Sequence, residues 1–228
     1  MSKLFLAIES STKMCSVALF DGSKLLDHIE EGGDYSHAEK LAPFVDQLLT
    51  RNELKTTDLK AVAISSGPGS YTGLRIGLSL AKGICFASDL PLISISTLKA
   101  MANGAKKVMN ESDAIYAPMI DARRMEVYTE LFDYELNSIE EVSAKVIDEQ
   151  SFQDLKERKK LLYFGDGALK CKEVLDPAFT YLENDFISAT HWGELILEKF
   201  DNEQFEDLAY YEPFYYKSFV AGKPKSLL

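Results

Sequence analysis

Four short stretches carry residue types able to do chemistry. Glu9-Ser10-Ser11-Thr12 lies between the apolar runs Leu4 to Ile8 and Cys15 to Phe20. A hydroxyl-rich turn between two strands can offer backbone N–H groups and hydroxyls to an anion. The same residues also favour turns simply because their hydroxyls bond nearby backbone. Gly165-Asp166-Gly167 follows another apolar run, and glycines at a strand-to-helix turn can approach a nucleotide closely. Ser10, Ser11, Thr12, Gly165 and Gly167 are therefore the candidate nucleotide or anion residues. Asp121-Ala122-Arg123-Arg124 could grip a carboxylate or phosphate with paired guanidiniums, or form a local ion-pair network.

The densest pattern is Ser65-Ser66-Gly67-Pro68-Gly69-Ser70-Tyr71-Thr72-Gly73-Leu74-Arg75-Ile76-Gly77. A helix opening after it would present unpaired N–H groups and a positive dipole end. The P-loop pattern is absent, because no lysine follows Gly73 and the glycine spacing is wrong. In that helix Gly73, Gly77 and Ala81 fall on one face. Each interior glycine costs about 1 kcal/mol relative to alanine, so the stripe needs a close contact, either within the chain or with another subunit.

Other chemistries are poorly served. His28, His37 and His191 form no two-histidine ligand spacing, so no metal is expected, and His37 and Glu39 read as surface residues. No GxSxG is present. Cys15, Cys85 and Cys171 are odd in number and far apart, which suggests neither a disulfide framework nor a zinc site.

Asp21-Gly22 between apolar runs is a hairpin signal, predicting three antiparallel strands at the start. Leu41, Phe44, Val45, Leu48 and Leu49 give a helix over Ser36 to Arg51, with Ser36 and Glu39 spaced as a capping box. Strand Ala61 to Ile64, helix Tyr71 to Ala87, strand Pro91 to Ile95 and helix Thr97 to Val108 follow, an alternation that implies parallel pairs. The second half repeats the order: strands Ala114 to Ile120, Glu126 to Phe132 and Ala144 to Ile147, helix Ser151 to Arg158, strand Leu161 to Phe164. A last helix carries Trp192, Leu195, Ile196 and Phe200. Two lobes are expected, residues 1–110 and 111–228.

With 228 residues, 46% apolar and 27% charged, the chain can bury a large core. Net charge is −11, which disfavours a self-sufficient nucleic-acid binder. Residues 1–110 carry 12 basic and 11 acidic side chains, so the excess is confined to the second half. Residues 183–212, with nine acidic side chains and one basic, read as a solvated face or a docking surface for a basic partner. No stretch approaches the ~20 apolar residues of a membrane span, the first apolar run is too short for a signal core, and a reduced, cytoplasmic compartment is expected.

The hairpin start with Ile8 to Thr12, the segment Gly67 to Gly77, Asp121 to Arg124 and Gly165 to Gly167, in this order, resemble the TsaB (YeaZ) family. The likeness covers nearly the whole chain and is most specific in GPGSYTGLRIG. It implies an α/β, two-lobed actin/hexokinase-like (ASKHA) fold with mixed sheets starting in an antiparallel hairpin. It also implies a role in making threonylcarbamoyladenosine on tRNA as a non-catalytic, cofactor-free partner of the catalytic subunit TsaD, with the ATPase TsaE, or a homodimer when alone. Thr97 and Met101 occupy the spacing of the metal-binding histidine pair of TsaD, and neither can replace an imidazole. Glu9 stands where the family usually has Asp, which argues against nucleotide or magnesium use through that turn. The family's dimer helices correspond to Ser36–Arg51 and Tyr71–Ala87, which assigns Leu41, Val45, Leu48, Gly73, Leu74, Gly77 and Ala81 to a partner interface. An active phosphotransferase of the same fold, or less favoured a metallopeptidase, are the alternatives.

Overall fold

The computed structural model describes residues 2–33, 37–156 and 160–216. β1 (Leu4–Glu9), β2 (Cys15–Asp21) and β3 (Lys24–Glu31) form the expected antiparallel start, and Gly22 takes the positive φ its turn requires, +60°. α1 (His37–Arg51), β4 (Ala61–Ser65), α2 (Tyr71–Ser88), β5 (Leu92–Ile95) and α3 (Thr97–Met109) follow. Ser36, and with it the expected capping box, lies outside the described residues. β4 and β5 add to β1 in parallel, so the first sheet runs β3-β2-β1-β4-β5.

The second sheet repeats the plan. β6 (Ala114–Asp121), β7 (Glu126–Phe132) and β8 (Ser138–Val146) are antiparallel, and β9 (Lys160–Phe164) and β10 (Thr180–Tyr181) add in parallel, giving β10-β9-β6-β7-β8. β6 therefore answers to β1, and the Asp121–Arg124 turn to the Glu9–Thr12 turn. The expected helix 151–158 is instead a 3₁₀ turn, Gln153–Leu155, with 157–159 outside the described residues. β8 is longer than its apolar residues suggest because it is a half-exposed edge strand with two register shifts.

Two helices cross between the expected lobes, residues 1–110 and 111–228. α3 leaves the first half to lie on β6 and β7, whereas α4 (Gly193–Asp201) returns from the second half to β5 and β3. The reason is that each sheet has an apolar inner face needing cover. One core joins Phe5, Phe20 and Ile93 of the first sheet to Met101 of α3, Tyr116 and Phe164 of the second sheet, and Trp192 and Ile196 around α4. Past α4 the chain stays with the first sheet, bridging Glu206 to Leu92. α1 and α2 cover the other face of the first sheet, and short turns around Phe152, Cys171 and Phe179 cover the other face of the second.

Candidate functional site

The Glu9–Thr12 turn ends β1, and the glycines of the following motif are shaped to it. A Cβ on Gly69 would stand 2.3 Å from the Ser11 carbonyl oxygen, one on Gly73 2.1 Å from the Ser10 carbonyl oxygen, and one on Gly77 2.3 Å from Ser10 Oγ. The Ser70 N–H donates to the Ser11 carbonyl, and Ser70 Oγ caps α2 by accepting from the Gly73 N–H at 3.2 Å. The glycine stripe thus has its close contact inside the chain. Glu9 is 1% exposed and accepts from the Ser11 N–H at 2.5 Å. Burial pushes its carboxyl above the ordinary carboxylate range, opposed by hydrogen bonds from Ser11, Ser65 and Ser10. That carboxylate faces its own turn and is not presented to a ligand.

Ser11 and Thr12 line a cleft of about 780 Å³, and the Ser11 hydroxyl is buried next to the Glu9 carboxyl. Opposite stands the equivalent turn of the second lobe. Arg123 and Arg124 both adopt positive φ, 72° and 49°, held by Asp121 Oδ1 accepting from the Arg123 N–H at 3.0 Å. Both guanidiniums are exposed on the cleft rim with no ion pair among the described residues, whereas Asp121 pairs with Lys170. Asp166 Oδ1 accepts from the Asp121 N–H at 3.0 Å, and burial raises its carboxyl, helped by Asp121 and Asp185. The arrangement can receive an anion at the rim; among the described residues it brings no nucleophile and base together.

Of the five candidate anion residues, only Ser11 and Thr12 line the cleft. Ser10 is 1% exposed beneath Gly73 and Gly77. Gly165 packs against the Met119 carbonyl oxygen and Gly167 against the Ile120–Asp121 backbone, the room their missing Cβ would need being filled by β6. These glycines repeat in the second lobe what Gly69 and Gly73 do in the first. Sequence reasoning missed the cleft's aromatic wall of Tyr71, Tyr128, Phe214, Tyr215 and Tyr216; the aromatic run Tyr210 to Tyr216 was its available signal.

A sequence-family model described as TsaD, tRNA N6-adenosine threonylcarbamoyltransferase, matches residues 31–190. A Buchnera aphidicola (subsp. Schizaphis graminum) protein named tRNA threonylcarbamoyladenosine biosynthesis protein TsaB is 30% identical over 75% of this chain and 82% of its own length. The chain belongs to the TsaB (YeaZ) family. The TsaB of Haemophilus influenzae is 41% identical over 54% of the chain and 51% of that protein, so the chain spans about half the length of the first curated relatives it matches. YeaZ from Pseudomonas aeruginosa superposes with a TM-score of 0.81 at 23% identity, covering 93% of this chain and 99% of that one. The fold is accordingly the two-lobed actin/hexokinase-like one.

The TsaB likeness placed a partner interface on α1 and α2, and the seven residues named for it require correction. Leu41, Val45, Leu48, Gly73, Leu74, Gly77 and Ala81 are all buried within the chain, because the apolar stripe of each helix is the side that covers the first sheet. The outward faces carry Ala42, Asp46 and Thr50 on α1, and Thr72, Ser79, Gly83 and Phe86 on α2, the last 84% exposed. His37 is likewise buried, its Nε2 3.1 Å from the Met14 carbonyl oxygen, and not at the surface. Thr97 and Met101, at the spacing of the TsaD histidines, are each 1% exposed inside the central core.

Proposed function

We propose that the chain is a non-catalytic subunit for threonylcarbamoyladenosine synthesis on tRNA, binding a TsaD-type subunit through the outward faces of α1 and α2. Membership of the TsaB family carries the pathway. The surface reading is supported by the outward stripe of α2, where an added Cβ on Gly83 would meet nothing within 4 Å and Phe86 projects its ring into solvent. Small residues beside an exposed aromatic suit close approach of a second helix, with the aromatic as an anchor. The buried hydroxyl and thioether at Thr97 and Met101 support a role without the metal chemistry of the catalytic relative. TsaE would join the pair, and without TsaD the same face would bring two copies together.

The test is co-purification of the tagged chain with TsaD from its own cells. Ser79→Arg and Phe86→Glu, both on exposed positions, should melt like the parent yet lose TsaD, and depletion of the chain should lower threonylcarbamoyladenosine in tRNA. Normal co-purification by both folded variants would overturn the interface, and unchanged modified tRNA would overturn the pathway.

A further inference from the structure

The segment after α4 crosses the molecule as a strap with one firm end and one weak end. At the firm end the Glu206 N–H donates to the Leu92 carbonyl at 2.9 Å, the Ser94 hydroxyl donates to the Glu206 carboxylate, and Lys199 Nζ donates to the Ser94 carbonyl at 2.7 Å. The half-buried Tyr211 hydroxyl joins this cluster through Ser94 and Ser66. The strap then passes α2, where Lys82 Nζ donates to the Ala209 carbonyl at 3.3 Å, and reaches the mouth of the cleft.

There its attachments change character. The Phe214 N–H donates to the Ser66 carbonyl at 2.8 Å, and the Phe214 carbonyl oxygen lies 2.7 Å from where a Gly67 Cβ would stand. Beyond that point, among the described residues, ring contacts and one side-chain hydrogen bond hold the strap. Tyr215 lies 4.8 Å from Tyr71 between ring centroids, and its hydroxyl accepts from Arg75 Nε at 3.0 Å, while the Arg75 guanidinium sits 4.1 Å above the Tyr71 ring. Tyr216 reaches across to Tyr128 of the second lobe, 5.9 Å between centroids. Phe214 and Tyr216 are 49% and 42% exposed, and ring contacts at such positions are individually weak. Phe214, Tyr215 and Tyr216 nevertheless line the same cleft as Ser11 and Thr12.

We propose that Phe214–Tyr216 is a gate over the interlobe cleft, anchored to β5 at Glu206, latched by Tyr215 on Arg75 and Tyr71, and governing access to the floor at Ser11 and Thr12. The gate is built from this chain alone and does not depend on the proposed partner. A few-residue segment with a fixed base and a surface latch is the kind of element that opens locally without global unfolding.

Thr12→Cys provides the probe. Thr12 is 5% exposed on the cleft wall, and the native Cys15, Cys85 and Cys171 are at most 2% exposed, so a thiol reagent such as 5,5′-dithiobis(2-nitrobenzoate) reads the new cysteine. Adding Tyr215→Ala, or separately Arg75→Gln, should speed labelling at least about tenfold at unchanged melting temperature, as expected when a closed state loses its latch. A Ser79→Cys control on the exposed face of α2 should label at one rate throughout. In the chain without the cysteine, hydrogen exchange at the Thr12 and Lys13 amides should quicken with Tyr215→Ala while the Glu206 amide keeps its protection. Equal labelling and equal exchange with and without the latch would overturn the gate.

Discussion

At the scale of single residues, the glycines divide by what faces them. Gly73 and Gly83 sit in the same helix, but a Cβ on Gly73 would collide with the Ser10 carbonyl whereas one on Gly83 meets open space. Gly73→Ala should therefore destabilise the fold by about 1–3 kcal/mol through overpacking, and Gly83→Ala should stabilise it by about 0.5–1 kcal/mol through helix propensity; urea unfolding of both measures the contrast. Glu9 offers a pH test. Its folded pKa is raised above the ordinary 4.5 by burial, so the folded state holds the proton more tightly than the unfolded chain. The stability this group contributes is present below about pH 4.5 and lost as pH rises through the folded value. Glu9→Gln cannot ionise, so its melting temperature should gain on the parent as pH rises above the ordinary 4.5; a constant gap would contradict the raised pKa. The chemistry-bearing residues were legible in the sequence as a set, but their facing was not. Ser10 and Ser11 are neighbours, and only the approach of Gly73 and Gly77, more than 60 residues away in sequence, decides that Ser10 is covered while Ser11 lines the cleft.

At the scale of elements, periodicity located α1 to α4 well because each has an apolar stripe against a sheet. The same stripe misled about the interface, since the residues that make a helix recognisable are those its own chain buries. The outward face of α2 had no periodic signal, only small residues and Phe86. Local signals also failed where tertiary pairing decides: β8 is mostly polar and exists because β7 offers it an edge. The start of α2 can be tested directly. Ser70→Ala removes the side-chain acceptor for the Gly73 N–H and should cost about 1 kcal/mol, measured by thermal unfolding, without altering association through the outward face.

At the scale of the whole molecule, the exchange of α3 and α4 between sheets ties the lobes into one core. Calorimetry should show a single cooperative transition with calorimetric and van't Hoff enthalpies in agreement; two separable transitions would contradict a shared core. Trp192→Ala, at a fully buried site of that core, should lower stability by about 3–5 kcal/mol. The exchange also explains the charge pattern. Part of the acidic segment returns to the first half, where Asp201 pairs with Lys3 and Glu194 with Lys107, exposed pairs that contribute little individually but leave the acidic half less isolated than its composition suggests. The crossing has a further effect during synthesis. The ribosome finishes β5 at Ile95, yet Trp192, Leu195 and Ile196, which share the core with the inner face of the first sheet, emerge about 100 residues later. At roughly 5–20 residues per second, the nascent first sheet waits on the order of 5–20 seconds with Phe5, Phe20 and Ile93 lacking their final cover, an interval in which a chaperone has something to bind.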